Sequence, residues 1–145
     1  LAELAQYAAL PYVHLDGVLH ICLITSRETK RWVIPKGWPK PSVRPHEQAA
    51  REAREEAGLV GEIAPDPLGS YVYNKRMDRR KYVTCRVAVF PFLVQAQRIR
   101  WPEKRERQLL WTPIEDAASK VAEPDLALLL SALPVWVDAQ QDMCL

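Results

Sequence analysis

Apolar positions recur along the chain first with a strand period, then a helical one, then a strand period again, and finally in a leucine-rich stretch. Residues 18–25 form a largely apolar run behind Asp16 and Gly17, a pair that favours tight hairpin turns, so residues 11–14 and 18–25 are expected to pair as strands. Trp32, Val33 and Ile34 form a short apolar run closed by Pro35 and predict a further strand. From Pro45 to residue 57 the period becomes helical, with Ala49, Ala50, Ala53 and Ala57 on a small-residue stripe. Pro45 suits the first helical position and Gly58 the position just past the end. Such a stripe would let the helix backbone lie close to a sheet.

Residues 68–74 and 82–94 read as strands separated by a basic segment, residues 75–81. Pro91 predicts an edge, a bulge or an early end to the second of these. Residues 108–111 are a last short strand candidate. Thr112 and Glu115 have the spacing of a capping box and predict a helix through about residue 121. Glu123, Pro124 and Asp125 then open a leucine-rich helix to about residue 133. This order favours an α/β architecture, a mixed sheet covered on both faces.

A length of 145 residues fits one domain, with no linker or internal repeat to divide it. The composition, 48% hydrophobic and 26% charged, is that of a globular protein. A net charge of +2 argues for neither nucleic acid nor a membrane surface, and no apolar run is long enough to span a bilayer. Residues 1–10 lack the basic start of a signal peptide. Cys22, Cys85 and Cys144 are odd in number and far apart, which disfavours a disulfide framework or a thiolate zinc site. A reduced, cytoplasmic protein is expected.

The candidate chemistry lies on the alanine-striped helix. Glu52, Glu55 and Glu56 can converge near one edge, with Arg51 one turn before Glu55 and one turn after Glu47. Carboxylates four residues apart repel by roughly 0.2–0.5 kcal/mol on an exposed helix. A divalent cation would offset that repulsion, and oxygen ligands select Mg²⁺ or Mn²⁺ over zinc. The same run also reads as a solvated face neutralised by Arg51 and Arg54.

In its wider context the segment resembles the Nudix hydrolase box: a glycine, five residues, a glutamate, seven residues, then Arg-Glu-aliphatic-x-Glu-Glu-x-Gly-aliphatic. Gly37, Arg51, Glu52, Ala53, Glu55, Glu56, Gly58 and Leu59 fall on its positions, while Val43 stands in place of the first glutamate. Ser26, Arg27 and the stretch from Arg31 to Gly37 are similar to the phosphate-contacting approach to the box. Residues 101–111 and 114–117 resemble the diphosphoinositol-polyphosphate and diadenosine-polyphosphate phosphohydrolases.

The resemblance implies a Nudix alpha/beta/alpha sandwich over residues 1–145 and hydrolysis of a phosphoanhydride. By position, Glu52, Glu55 and Glu56 would hold one to three Mg²⁺ (or Mn²⁺) ions. Glu55 is favoured as the base, with Glu52 and Arg51 beside it in the catalytic set. In the family the first glutamate ties the loop to that arginine, and Glu47 is an alternative partner for Arg51 here. Gly37 would admit the metal or phosphate to the backbone, and Arg27, Arg31 and Lys36 would hold phosphates.

The expected partner is a polyphosphorylated small molecule, an inositol pyrophosphate or a dinucleoside polyphosphate, with neither a membrane nor a nucleic acid. Alternatives are a nucleotide sugar, ADP-ribose or a nucleoside triphosphate as substrate, or a catalytically silent nucleotide-binding module. Residues 75–81 read equally as a solvated hairpin loop and as a basic field for a polyanion. Glu103 and Glu106 lie where related enzymes of the family place an additional carboxylate outside the box, and surface glutamates are the favoured reading of both. Trp32 and Trp111 read as core, with Trp38 and Trp101 open to stacking on a base. His14, His20 and His46 read as structural, and Cys22 and Cys85 as small core residues.

Overall fold

The computed structural model describes residues 3–143. Strand β1 (Leu4–Leu15) turns through Asp16 and Gly17, both at positive φ (51° and 78°), into β2 (Val18–Thr25), with Leu15 opposite Val18. Two consecutive left-handed residues match the turn to the twist of the strands, which is why an Asp-Gly pair serves here. Short strands β3 (Trp32–Val33) and β4 (Lys36–Gly37) follow; β3 pairs with β2 and β4 with β1.

Helix α1 (Pro45–Ala57) has proline in its first turn and ends on Gly58, a left-handed residue at φ 70° whose N–H closes onto the Arg54 carbonyl. Strands β5 (Leu59–Ile63), β6 (Gly69–Arg76), β7 (Tyr82–Gln97) and β8 (Leu109–Pro113) come next, then helices α2 (Ile114–Ala117) and α3 (Pro124–Met143). Among the described residues the eight strands make one mixed sheet. Its centre is the parallel pair β1 and β7, from Leu4 opposite Cys85 to Tyr12 opposite Leu93.

Both faces are covered. On one, Ala49, Ala53 and Ala57 of α1, all fully buried, lie on Ala9, Cys22, Ile24, Phe90 and Phe92. On the other, Leu126, Leu130, Leu133 and Val137 of α3 pack on Leu10, Ile21, Leu23, Val87 and Val89. The sheet therefore holds α1 rigidly by its alanine face.

Three expectations need correction. The helix expected from residue 112 to about 121 is the four-residue α2, and Thr112 caps nothing: it stays in β8 opposite Ile21, buried. The strand ladder and the core take the residue that local spacing assigned to a cap. Helix α3 runs past residue 133, through Pro134 to Met143, because its apolar stripe continues to Val137. Pro91 marks neither an edge nor an end. It lies where the β7 flank changes partner, from β6 (through Val89) to β5 (from Phe92), so its missing N–H breaks no ladder bond there, and its carbonyl accepts the Ala64 N–H at 2.8 Å. Finally, β4, β5 and the first half of β1 were not anticipated.

Candidate active site

Helix α1 turns about 100° per residue. Gln48, Glu52 and Glu56 therefore sit on the flank of its buried face, Glu55 at the margin and Arg51 beyond it. Glu52 and Glu56 are 8% and 4% exposed, Glu55 is half-buried and Arg51 is exposed. All three glutamates line a cleft of about 560 Å³, to which the loop after β2 brings Arg27 and Arg31, and β4 brings Lys36 and Gly37. Seven of the eight residues expected at the site thus share one cavity.

Arg51 is the exception and does not line it. No ion pair joins it to Glu47 or Glu55 among the described residues, and Val43 supplies no carboxylate. The guanidinium at the carboxylates belongs to Arg107, which motif spacing did not single out. Its Nη2 lies 2.8 Å from Glu103 Oε1 and 3.5 Å from Glu56 Oε1, and its Nη1 donates to the Thr25 carbonyl at 3.0 Å. Glu103, expected at the surface, is drawn inward: its N–H donates to the Glu55 carbonyl at 3.0 Å and its carboxylate also faces Arg27 at 3.9 Å. Glu106 remains exposed and pairs with Arg27 at 3.3 Å.

Glu52 is held from two sides. Gln48 Nε2 donates to Glu52 Oε2 at 2.5 Å from one helical turn away, and a Cβ at Gly37 would overlap the Glu52 carboxylate. Only glycine permits that approach of strand backbone to carboxylate. Burial lifts the Glu56 carboxyl well above the ordinary carboxylate range; Arg107 draws it down, Glu52 pushes it up again and Lys36 opposes. Burial lowers the Lys36 ammonium, against the pull of Glu56 and with the repulsion of Lys75. Its Nζ rests 5.1 Å from the centre of the Tyr73 ring, and the Tyr73 hydroxyl donates to Gln6 Oε1 at 2.6 Å.

Lys75 and Arg76 reach the cleft from the end of β6, with Tyr82 and Trp38 at its margins; Arg79, Arg80 and Lys81 do not line it. The loop at their base is closed by Asp78, whose Oδ1 accepts the N–H groups of Arg80 and Lys81 at 2.9 Å each. Glu123, ahead of α3, also faces the cleft and carries a buried carboxylate oxygen without a protein partner. Trp101 covers Gly58 rather than the cleft, and Trp32 and Trp111 pack against the cores. Cys22 and Cys85 are buried free thiols, and burial pushes Cys22 up to about 12; Cys144 lies outside the described residues. A second concavity of about 650 Å³, lined by Tyr12, Pro91, Leu93, Trp136 and Val137 among others, has no lysine or arginine to meet a phosphate.

The donor set suits a hard divalent cation. Two buried carboxylates and a third at the margin are hard oxygen ligands, and the buried Gln48 Oε1 beside Glu52 has no protein partner. Among the described residues, no three acidic, histidine or cysteine side chains already stand close enough to form a metal cage.

The NUDIX domain family model matches residues 13–133. Nudix hydrolase 16, mitochondrial, of Arabidopsis thaliana is 31% identical over 110 residues, covering 74% of this chain and 61% of that protein. Diphosphoinositol polyphosphate phosphohydrolase 3-alpha of Mus musculus is 33% identical over 97 residues, covering 64% and 54%. The chain spans about half to three fifths of the length of the curated relatives it matches. The C. elegans Ap4A hydrolase superposes with a TM-score of 0.67 at 17% identity, covering 94% of this chain and 99% of that one. The NUDIX domain of Shewanella oneidensis NrtR, complexed with ADP ribose, gives 0.69 at 19%, covering 94% and 90%. These likenesses establish the fold.

Proposed function

This chain belongs to the NUDIX domain family, and on that premise we propose that it is a divalent-metal-dependent hydrolase of phosphoanhydrides. Its substrate is a polyphosphorylated small molecule, an inositol pyrophosphate or a dinucleoside polyphosphate, and residues 1–145 act as one hydrolase unit. One observation carries the reading: Glu52, Glu55 and Glu56 share a single cleft with Arg27, Arg31, Lys36 and Gly37. Carboxylates facing cations across one cavity are what a phosphoanhydride and its counter-ion require.

Glu52, Glu55 and Glu56 would hold Mg²⁺ or Mn²⁺, which when bound supplies charge neutralisation and a more acidic water. Arg27 and Arg31 bind the outer phosphates, where guanidinium forks match paired oxygens. Lys36, set in the cleft wall, faces the phosphate nearest the carboxylates. Glu55, the least buried of the three glutamates, takes a proton from the attacking water as the water oxygen bonds to phosphorus, and the bridging P–O bond breaks with its electron pair leaving on the departing phosphate. Gln48 and the backbone of Gly37 fix Glu52. The polyphosphate preference is supported by Lys75 and Arg76 at the cleft and by the kinship to the mouse phosphohydrolase. The two buried free thiols suit a reducing compartment such as the cytoplasm.

The test is phosphate release across inositol pyrophosphates, dinucleoside polyphosphates, nucleotide sugars, ADP-ribose and nucleoside triphosphates, with Mg²⁺, with Mn²⁺ and in chelator. Running it in ¹⁸O-labelled water locates the attacked phosphorus. Metal-dependent turnover greatest on the first two classes is expected. No release from any substrate with either metal would overturn the assignment and favour a silent binding module.

A further inference from the structure

Arg107 is buried among carboxylates in a way the proposed chemistry does not use. Its side chain is only 10% exposed, and all three guanidinium nitrogens are engaged. Nε donates to Glu103 Oε1 at 2.9 Å, Nη2 stands 2.8 Å from that oxygen and 3.5 Å from Glu56 Oε1, and Nη1 donates to the Thr25 carbonyl at 3.0 Å. One cation thus ties the end of β2 and the loop before β8 to helix α1. The same loop is pinned to α1 by the Glu103 N–H on the Glu55 carbonyl and by the Arg98 N–H on the Gly58 carbonyl.

We propose that Arg107 is a positioning residue that acts as a resident counter-ion, holding Glu56 and Glu103 in place of a divalent cation and setting how tightly that cation binds. This inference rests on the metal-dependent reading of the cleft. Glu52 and Glu56 are nearly inaccessible, so whatever charge Glu56 carries without a metal is met inside the protein, and among the described residues Arg107, 3.5 Å from it, and Lys36 are the cations that draw on it. A fixed guanidinium compensates buried carboxylates strongly because little water screens it. The same charge repels an arriving divalent cation, so the site is stable when empty at some expense in metal affinity.

Charge and bridging are separable. Arg107→Met removes both, whereas Arg107→Lys keeps the charge but cannot reach three partners at once. Mn²⁺ binding by calorimetry is measured on the whole chain at mildly alkaline pH, where protons compete least for the carboxylates, with thermal unfolding in chelator and in Mn²⁺ alongside.

Arg107→Met is expected to bind Mn²⁺ about tenfold more tightly than wild type, although it melts lower in chelator, and Mn²⁺ should raise its melting point by more than it raises wild type's. Arg107→Lys should bind with nearly wild-type affinity while also melting lower in chelator. A residue that merely shaped the loop would weaken metal binding when removed. Unchanged or weaker Mn²⁺ binding by Arg107→Met overturns the inference while leaving the metal reading intact. If Arg107→Met does not fold, an Arg107→Lys that binds Mn²⁺ markedly more weakly than wild type, or melts like it in chelator, overturns the inference by itself. Wild type taking up no Mn²⁺ overturns both.

Discussion

At the scale of residues, what distinguishes the glutamates of α1 is burial rather than identity. Glu52 and Glu56 sit under the sheet margin against Gln48, Lys36 and Arg107, whereas Arg51 lies outside the cleft. Glu52→Gln and Glu56→Gln should each reduce turnover by roughly 10²-fold or more, as expected for loss of a charged catalytic element. Purified, folded variants assayed at saturating metal check this, and near-wild-type rates in both would remove these glutamates from the mechanism. Arg51→Ala should change kcat within about twofold, the range of an exposed substitution without a partner. A large fall in kcat would restore Arg51 to the catalytic set.

The same burial makes the metal-free protein pH-sensitive. Glu56 has its carboxyl raised by burial in the folded state and ordinary in the unfolded one. Its contribution to stability is therefore fully present below the unfolded value and is lost as pH rises through the folded one. Arg107 and Lys36 oppose that loss and Glu52 reinforces it. Melting temperature in chelator should accordingly fall from mildly acidic pH upward, and Glu56→Gln should flatten the slope. A variant as pH-dependent as wild type would place the titration elsewhere.

At the scale of elements, the end of α1 joins the helix to the site. Gly58 is left-handed at φ 70°, and a Cβ there would drive into the Trp101 ring. Trp101 belongs to the loop that carries Glu103 and Arg107, so backbone conformation and loop packing meet at one residue. Gly58→Ala should cost about 1–3 kcal/mol from the backbone alone, with a further loss as Trp101 shifts. Denaturant unfolding measures the first, and a changed tryptophan emission in the folded state reports the second. Stability within a few tenths of wild type would show that neither constraint is tight.

At the scale of the whole molecule, the chain brings a basic hairpin end and an acidic helix to one cleft. Lys75 and Arg76 line it; Arg79, Arg80 and Lys81 stand farther out and contribute only through the solvent-screened field. Lys75→Gln with Arg76→Gln should raise KM for highly phosphorylated substrates about threefold to tenfold at low salt. KM for a single diphosphate should barely change, and the difference should fade as salt rises. Neutralising Arg79 and Arg80 should do less. Equal changes for both substrate classes, or a larger effect from the outer pair, would detach the hairpin from substrate choice.

Features governed by local rules were legible along the chain alone. The Asp16–Gly17 hairpin, the span of α1 from Pro45 to Gly58, the alanine stripe and the spacing of Glu52, Glu55 and Glu56 follow from dihedral preference and helical period, which need no distant partner. The family was legible there too, because the box is one contiguous stretch. Tertiary structure decided the rest. Thr112 stays in β8 because Ile21 lies beside it, and α3 passes Pro134 because its buried stripe outweighs one lost hydrogen bond. Which arginine meets the carboxylates was not legible either: Arg51 is near them in sequence, but the helix turns it away, while Arg107 arrives from β8's approach through contacts more than fifty residues apart. Helical period fixes where a side chain points on its own element; only the packing of elements fixes what stands opposite.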